Sequence, residues 1–340
     1  MTDAAWETLS NQAVAACGVV YFLALLAHLV EWSSLRGVEG PATAASSSAR
    51  TASTGGVAVS TVATGVAAPA APAARRTALF GRLGLLLTAI ACAVQAVGLF
   101  ARGMAADPNR VPWGNMYEFT VSGTFVVVLF YLLLRRRLGL DWMAPIVVGF
   151  ALALLMVAVL WLYEPVAPLT EALESYWLVI HVVSAILATG AFTLGGITSA
   201  IYLLKERRPG PGTGPLARIP EPVVLDRISY RIHAFAFPVW TFAVLITGPI
   251  WAHQAWSSYW NWDPKEVWAF ITWVVYAAYL HARSTAGWKG RNAAVLALVG
   301  LATLWFNFVG INYFSSTSQH AYAAPVLGSA VVEVQGPAEG

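Results

Sequence analysis

The chain has 340 residues, enough for about two soluble domains by length alone, yet 58% of them are hydrophobic and only 11% are charged. A water-facing shell needs roughly 25% charged residues, so a secreted disulfide scaffold, a nucleic-acid binder and a cytosolic enzyme are excluded. The net charge of +3 is too small to call for a polyanionic partner. The two cysteines, Cys17 and Cys92, sit in apolar runs and form no CxxC, which argues against thiol-redox chemistry. The composition predicts an all-α fold, a polytopic integral membrane helix bundle.

About eight apolar stretches approach the 20 residues that cross some 30 Å of hydrocarbon. In chain order they cover 11–32, 77–102, 117–134, 142–163, 176–204, 232–251, 264–283 and 293–314. The first is not a cleavable signal, because Asp3 and Glu7 stand where a basic segment belongs and no clean A-x-A site follows. It forms a unit of its own, 1–33. The segment 34–76, mostly Ala, Ser, Thr, Gly and Pro, reads as a low-complexity linker. The remainder, 77–340, forms one buried helical domain, with a tryptophan-rich loop over 251–268 and a flexible Pro/Gly loop over 209–215.

Basic residues set the orientation. Arg36, Arg50, Arg75 and Arg76 follow the first span, Arg135, Arg136 and Arg137 the third, Lys205, Arg207, Arg208, Arg218, Arg227 and Arg231 the fifth, and Arg283, Lys289 and Arg291 the seventh. Glu164, Glu171 and Glu174 follow the fourth. Counting Lys and Arg puts the linker in the cytoplasm and both termini outside. Arg102, Arg110 and Lys265 run against the trend and are too few to reverse it. The first span carries no transit peptide, which points to a bacterial plasma membrane before a thylakoid.

The loop between spans six and seven reads His253-Gln-Ala-Trp256-Ser-Ser-Tyr259-Trp260-Asn-Trp262-Asp263-Pro264-Lys265-Glu266, flanked by Trp251 and Trp268. Two or three interfacial tryptophans are an ordinary aromatic belt. Asp263, Pro264 and Glu266 have the spacing of an N-cap, an N1 proline and a capping box, so part of the motif starts a helix. Neither reading accounts for so many indoles in one outer loop, whereas a large flat apolar ligand does. The loop after span two repeats the theme in Pro112-Trp113-Gly114-Asn115-Met116-Tyr117-Glu118.

The run 256–266, with Trp268, Trp273, Tyr276 and Tyr279-Leu280-His281-Ala282-Arg283, resembles the WWD region of the CcsA (ResC) family of cytochrome c biogenesis proteins. The likeness extends to Trp177 through His181, Asn115 through Glu118 and Asn312 through Ala323; where the family usually has Gly after the first Trp, this chain has Ser257.

The six histidines sort by depth. His181, five residues after Tyr176, and His320, six beyond Phe314, both approach the outer loop. His281 lies sixteen residues past Lys265, about 24 Å below at 1.5 Å per residue, so no single iron joins it to the outer pair. Two haem positions follow. Imidazoles are common axial ligands, and a pair fills both axial positions. His181 and His320 would hold an outer haem b against the indoles. The resemblance implies the same pair, and it implies that His281 ligates a haem within the membrane whose second ligand comes from the partner CcsB (ResB). His28, at matching depth, is a rival for that second ligand and His233 a weaker one, although a helix–helix hydrogen bond is the commoner role for both. For His253 an interfacial polar role ranks first.

The function expected is movement of haem from the inner to the outer side, presentation on Trp256, Trp260, Trp262 and Asp263, and, with CcsB, thioether formation to the CxxCH cysteines of apocytochrome c. Trp113, Trp251 and Tyr259 would add haem contacts, and Lys265 would meet a propionate. No nucleophilic set is visible, so catalysis would work by proximity. A thiol-reducing protein is expected nearby. The alternatives are a haem transporter or chaperone without synthase activity, a secondary transporter, for which inverted repeats are missing, and a respiratory cytochrome subunit.

Overall fold

The computed structural model describes residues 1–33, 72–167, 175–207, 218–285, 287–315 and 318. In chain order it forms α1 (Asp3–Ser33), α2 (Pro72–Met104), α3 (Met116–Leu138), a 3-10 turn (Asp141–Met143), α4 (Ala144–Trp161), α5 (Tyr176–Glu206), α6 (Pro222–Thr241), a π turn (Phe242–Thr247), α7 (Gly248–Trp256), α8 (Pro264–Ser284), α9 (Arg291–Trp305), a second π turn (Phe306–Gly310) and α10 (Ile311–Phe314). The protein is thus an all-α polytopic bundle, as its composition requires. Seven helical stretches are long and apolar enough to cross a membrane, with Pro222–Trp256 and Arg291–Phe314 each counting as one through their π turns. The eighth expected span is α8, whose 21 residues rise about 31 Å. Thr272, Tyr276, Tyr279, His281 and Arg283 make it less apolar than the rest.

Several boundaries differ from the sequence reading, and the first span begins at Asp3, eight residues before the expected start. The sixth span begins at Pro222, where Pro stands at the first helical position after Glu221, ten residues before the expected start. Hydropathy misses this turn because Arg227 and Arg231 are exposed on it. The expected loop over 251–268 is irregular only between α7 and α8, since Trp251 and Trp256 belong to α7 and Trp268 to α8. Within the expected linker, α2 already begins at Pro72; the rest of it lies outside the described residues.

The long helix α5 packs against α3, α6, α7 and α9, and three of its glycines explain how. A Cβ would meet Val126 of α3 at 3.1 Å if built on Gly190, His233 of α6 at 2.5 Å on Gly195, and Leu301 of α9 at 2.5 Å on Gly196. In a bilayer, helices gain little from exchanging lipid for leucine, and small residues that let backbones approach supply the packing instead. Beside this centre, α1 and α2 form a pair that also contacts α4. Tyr21 donates to Gln95 at 2.8 Å, and Gln95 donates to Thr124 at 2.9 Å, stitching α1, α2 and α3 through buried polar groups.

The two ends of the bundle carry different chemistry. At one end basic side chains pair locally: Arg135 with Asp141, Arg218 with Glu31 at 2.6 Å, Lys205 with Glu221 at 3.3 Å and Arg283 with Asp226 at 2.6 Å. The other end gathers the start of α1, the α2–α3 loop, and the segment between α7 and α8.

An indole-walled cavity as the candidate functional site

At the second end a cavity of about 190 Å³, opening into a larger space shared with the outside, lies among α3, α5, α7, α8 and α9. Its walls include Trp113, Trp240, Trp251, Tyr259 and Trp260, with His181, Lys265 and Asn307 as polar groups among them. The sequence-predicted residues Trp113, His181, Trp251, Tyr259, Trp260 and Lys265 therefore meet around one space.

The loop between α7 and α8 is held open by its ends. Asp263 caps α8, its side chain accepting the Lys265 N–H at 2.8 Å. The Glu266 carboxylate takes the N–H groups of Asp263 at 3.2 Å and Asn261 at 2.9 Å. This is the capping box that the sequence spacing predicts, extended by one bond into the loop. Two non-glycine residues adopt left-handed backbone, Ser257 at φ 56° and Trp262 at φ 56°. A bulky residue in that region stores strain, which concentrates at functional sites. Trp262 is 70% exposed and meets Trp260 edge-on at 6.0 Å, while Trp251 is 2% exposed and meets Trp256 edge-on at 4.8 Å. The loop so presents both a buried indole floor and an exposed indole lip. Outside the cavity lining, His253 stacks on Tyr259 at 4.3 Å.

His181 is positioned from beneath. Its Nδ1 lies 2.9 Å from the carbonyl oxygen of Ala243, and a carbonyl can only accept, so Nδ1 carries the proton. The neutral ring then keeps its lone pair on Nε2, the arrangement that prepares an imidazole as a metal ligand. The π turn makes this possible. In it, the Ala243 carbonyl accepts the Gly248 N–H, one residue later than in an α-helix, together with the Thr247 hydroxyl at 3.1 Å. The wider turn leaves that oxygen accessible to the neighbouring helix, a recurrent use of π turns at functional sites. Trp251 stacks on the imidazole at 6.0 Å and 12°.

Beneath the loop, Lys265 donates from Nζ to Asn312 Oδ1 at 2.6 Å, and Asn312 donates to Met116 Sδ at 2.8 Å. These bonds join α8, α10 and α3 across the cavity wall. Two lining atoms, Trp260 Nε1 and Asn307 Oδ1, are buried and have no partner among the described residues. Beyond α10 the chain returns to the loop, where Ser318 donates to Asp263 Oδ1 at 2.8 Å. His320 lies outside the described residues.

The remaining histidines lie away from this cavity. The His28 ring sits between α1 and α2, with Nε2 3.3 Å from Thr88 Oγ1 and Nδ1 3.5 Å from Glu31. Gly84 lies against it so closely that a Cβ there would come within 2.7 Å. His233 is fully buried, its Nδ1 donating to the Ser229 carbonyl at 2.7 Å, its ring packed against Phe192, Tyr276 and Tyr279. His281 is exposed on α8.

Several contributors escape the sequence reading. The bases that run against the orientation trend turn out to be structural: Arg102 and Arg110 both bond the buried carboxylate of Glu118 at 3.0 and 2.7 Å. Asn307 and Asn312 had a signal, because an amide within a membrane span is costly unless it faces a site. The Ala243 carbonyl had none, since a π turn leaves no side-chain signature.

Fold and cavity together define an α-helical polytopic membrane protein with a ligand-sized, indole-walled chamber at one end. Residues 113–318 match the family model described as cytochrome C assembly protein. The chain is 31% identical over 269 residues to the cytochrome c biogenesis protein CcsA of Mesostigma viride, covering 72% of this chain and 86% of that one. It is likewise 31% identical over 286 residues to CcsA of Synechococcus elongatus, covering 71% and 87%. The chain belongs to this family of cytochrome c assembly proteins, in its CcsA branch, and its role lies in cytochrome c biogenesis. Among solved structures it shares the fold of the cytochrome c haem lyase CcmF, with a TM-score of 0.58 at 15% identity over 92% of this chain. It spans about half of that protein, 49% of its length.

Proposed function

We propose that the chamber receives haem as substrate, with His181 as one axial ligand, and presents it at the α7–α8 loop for covalent attachment to apocytochrome c. The observation that carries this reading is the His181–Ala243 bond, which fixes the imidazole tautomer on the wall of a chamber lined by indoles. The donor set fits a haem. Flat rings need wide apolar faces, which Trp113, Trp251 and Trp260 supply, and a propionate needs a cation, which Lys265 offers from the wall beneath the loop. His320 completes the axial pair: it lies two residues beyond Ser318, at most about 7 Å of chain, and Ser318 is bonded to the loop.

The attachment adds each thiol of a CxxCH segment across a haem vinyl group. A carbon–sulfur bond forms, the thiol hydrogen passes to the neighbouring vinyl carbon, and no oxidant is consumed, although both thiols must arrive reduced. A thiol-reducing protein on the same side would meet that requirement. The residues of this chain contribute by holding and by excluding water: the indoles fix the ring plane, Asp263 and Glu266 hold the loop, and the exposed lip at Trp262 and Tyr259 meets the incoming polypeptide. The cytochrome's own histidine then displaces one of the chain's two. The loop end faces the exoplasm, with both termini there, because the basic residues cluster at the opposite end. His281, exposed on α8 near that basic end, is the ligand of a second haem whose other ligand comes from CcsB (ResB). His28 and His233 act as helix-packing histidines.

The test is haem copurifying with the full chain and its CcsB partner. His181→Ala and His320→Ala should each lower it, and added imidazole should restore maturation by filling the axial vacancy. Unchanged haem in both variants would refute the assignment. His281→Ala should abolish cytochrome c maturation at normal protein level, and a normal yield of cytochrome would remove the second haem. Reconstitution with apocytochrome separates synthesis from transport, since a transporter alone yields no covalent haem.

A further inference from the structure

The chamber has a second wall built like the first. Trp262-Asp263-Pro264-Lys265-Glu266 opens α8, and Trp113-Gly114-Asn115-Met116-Tyr117-Glu118 opens α3 at the same end. In each, a capping side chain is followed three residues later by a glutamate. Asn115 Oδ1 accepts the Glu118 N–H at 2.9 Å, and the Glu118 carboxylate reaches back to the Gly114 N–H at 2.7 Å. Glu266 does the same for Asp263 and Asn261. Both glutamates thus hold backbone amides directly beside cavity-lining indoles, Trp113 in one wall and Trp260 in the other.

Glu118 is the more committed of the two. Its side chain has no solvent exposure, and it collects Arg102 Nε at 3.0 Å, Arg110 Nη1 at 2.7 Å and Arg110 Nη2 at 3.2 Å in addition to the Gly114 amide. Arg102 is in turn 3.5 Å from Glu7 of α1 and bonds the Glu164 carbonyl after α4. One carboxylate therefore ties α1, α2 and the end of α4 to the loop that carries Trp113. Helix capping alone needs none of this: an N-cap asparagine is sufficient to start α3. Burying a charge is costly unless it is paired and bonded, and here Glu118 is paired with two arginines although Arg102 Nη1 and Arg110 Nε have no hydrogen-bond partner among the described residues; burial on these terms marks a geometry that must be held.

We infer that Glu118 is a positioning residue of the chamber, holding the Trp113–Gly114 wall at a fixed separation from the tryptophan loop, so that the two capping glutamates clamp the ligand's plane between matched walls. This inference rests on the haem reading for the identity of the ligand, though not for the clamp itself.

The experiment uses the full chain with its partner and two readouts. The first is haem per protein, with the position of the main absorption band. The second, independent of ligand, is labelling of a Trp113→Cys reporter by a membrane-impermeant maleimide; the native Cys17 and Cys92 are buried and stay silent. Glu118→Gln should lower haem occupancy at least fivefold, shift the band, and raise reporter labelling severalfold at normal protein level. Glu118→Asp, which keeps the charge but is too short to hold both the arginines and Gly114, should behave alike. Where Glu118→Gln fails to accumulate, Glu118→Gln with Arg110→Gln keeps the buried charge balanced, leaving Arg102 with Glu7, and carries the same expectation. Unchanged occupancy and unchanged labelling overturn the inference and leave the haem reading standing. Raised labelling in a protein that carries no haem even as wild type sinks the haem reading and leaves the clamp.

Discussion

Gly248→Ala separates the stability of the fold from the readiness of the site. Gly248 has helical backbone, φ −60° and ψ −56°, where alanine is the better residue by about 1 kcal/mol. A Cβ at this position would lie 3.1 Å from the Ala243 oxygen and 3.2 Å from both Cε1 and Nδ1 of His181. Those distances are a few tenths of an ångström too short, and the imidazole is the part that can retreat. The 2.9 Å bond from Nδ1 then stretches past its optimum, forfeiting most of the ~1 kcal/mol that such a bond contributes. Losing the hydrogen bond that orients a histidine ligand weakens metal affinity about 10- to 100-fold, and a stretched bond belongs at the lower end, near tenfold. The assay is the ratio of haem to protein in the purified complex, with thermal unfolding of the same sample. The expected result is occupancy down about tenfold with a melting temperature unchanged or raised. Wild-type occupancy with an unshifted absorption band would show that the Ala243 carbonyl does not orient the ligand.

Ser257→Gly should raise stability by about 1 kcal/mol, because φ 56° is free for glycine and costs an L-residue roughly that much; unfolding in detergent reads it, and maturation should stay at the wild-type level. Gly195→Ala should act in the opposite sense, since its Cβ would fall 2.5 Å from the fully buried His233 ring; the cost is about 1–3 kcal/mol of overpacking, seen as lower accumulation. Restoration of Gly195→Ala by His233→Ala, which vacates that space, would confirm a packing role for His233.

What the sequence discloses here is set by length scale. Apolar runs of 20 residues report spans directly, because the bilayer imposes their length, so hydropathy finds all eight spans, α8 least clearly, and misses only how far their polar ends extend. The capping box at Asp263 and Glu266 is legible because capping is a contact between residues three apart. Contacts of longer range leave weaker marks. Arg102 and Arg110 read as stray bases, because nothing in a one-dimensional string says that they face Glu118. His28 and His281 match in depth, yet α1 packs with α2 and α4 and its histidine turns toward Thr88, a choice made by helix rotation that depth counting cannot see. The extension of α6 to Pro222 is missed for a related reason: an amphipathic turn at the membrane edge looks polar to a hydropathy window.

The two π turns bear on why the chamber exists at all. Regular helices pack at 8–10 Å between axes and leave no slot for a tetrapyrrole. Each π turn widens one helix locally and changes the register of side chains beyond it, and both lie on the chamber wall, where they supply Val244 on one side and Asn307 and Phe308 on the other. The first also turns toward His181 the Ala243 carbonyl that orders it. The second places against the cavity a buried amide oxygen with no partner among the described residues, a group whose burial is costly until something donates to it. Both π turns stand where they line a cavity, which is where a bilayer tolerates irregular backbone. In this bundle the two π turns are the departures from α geometry that shape the chamber wall, one supplying the carbonyl that orders His181 and the other the Asn307 amide.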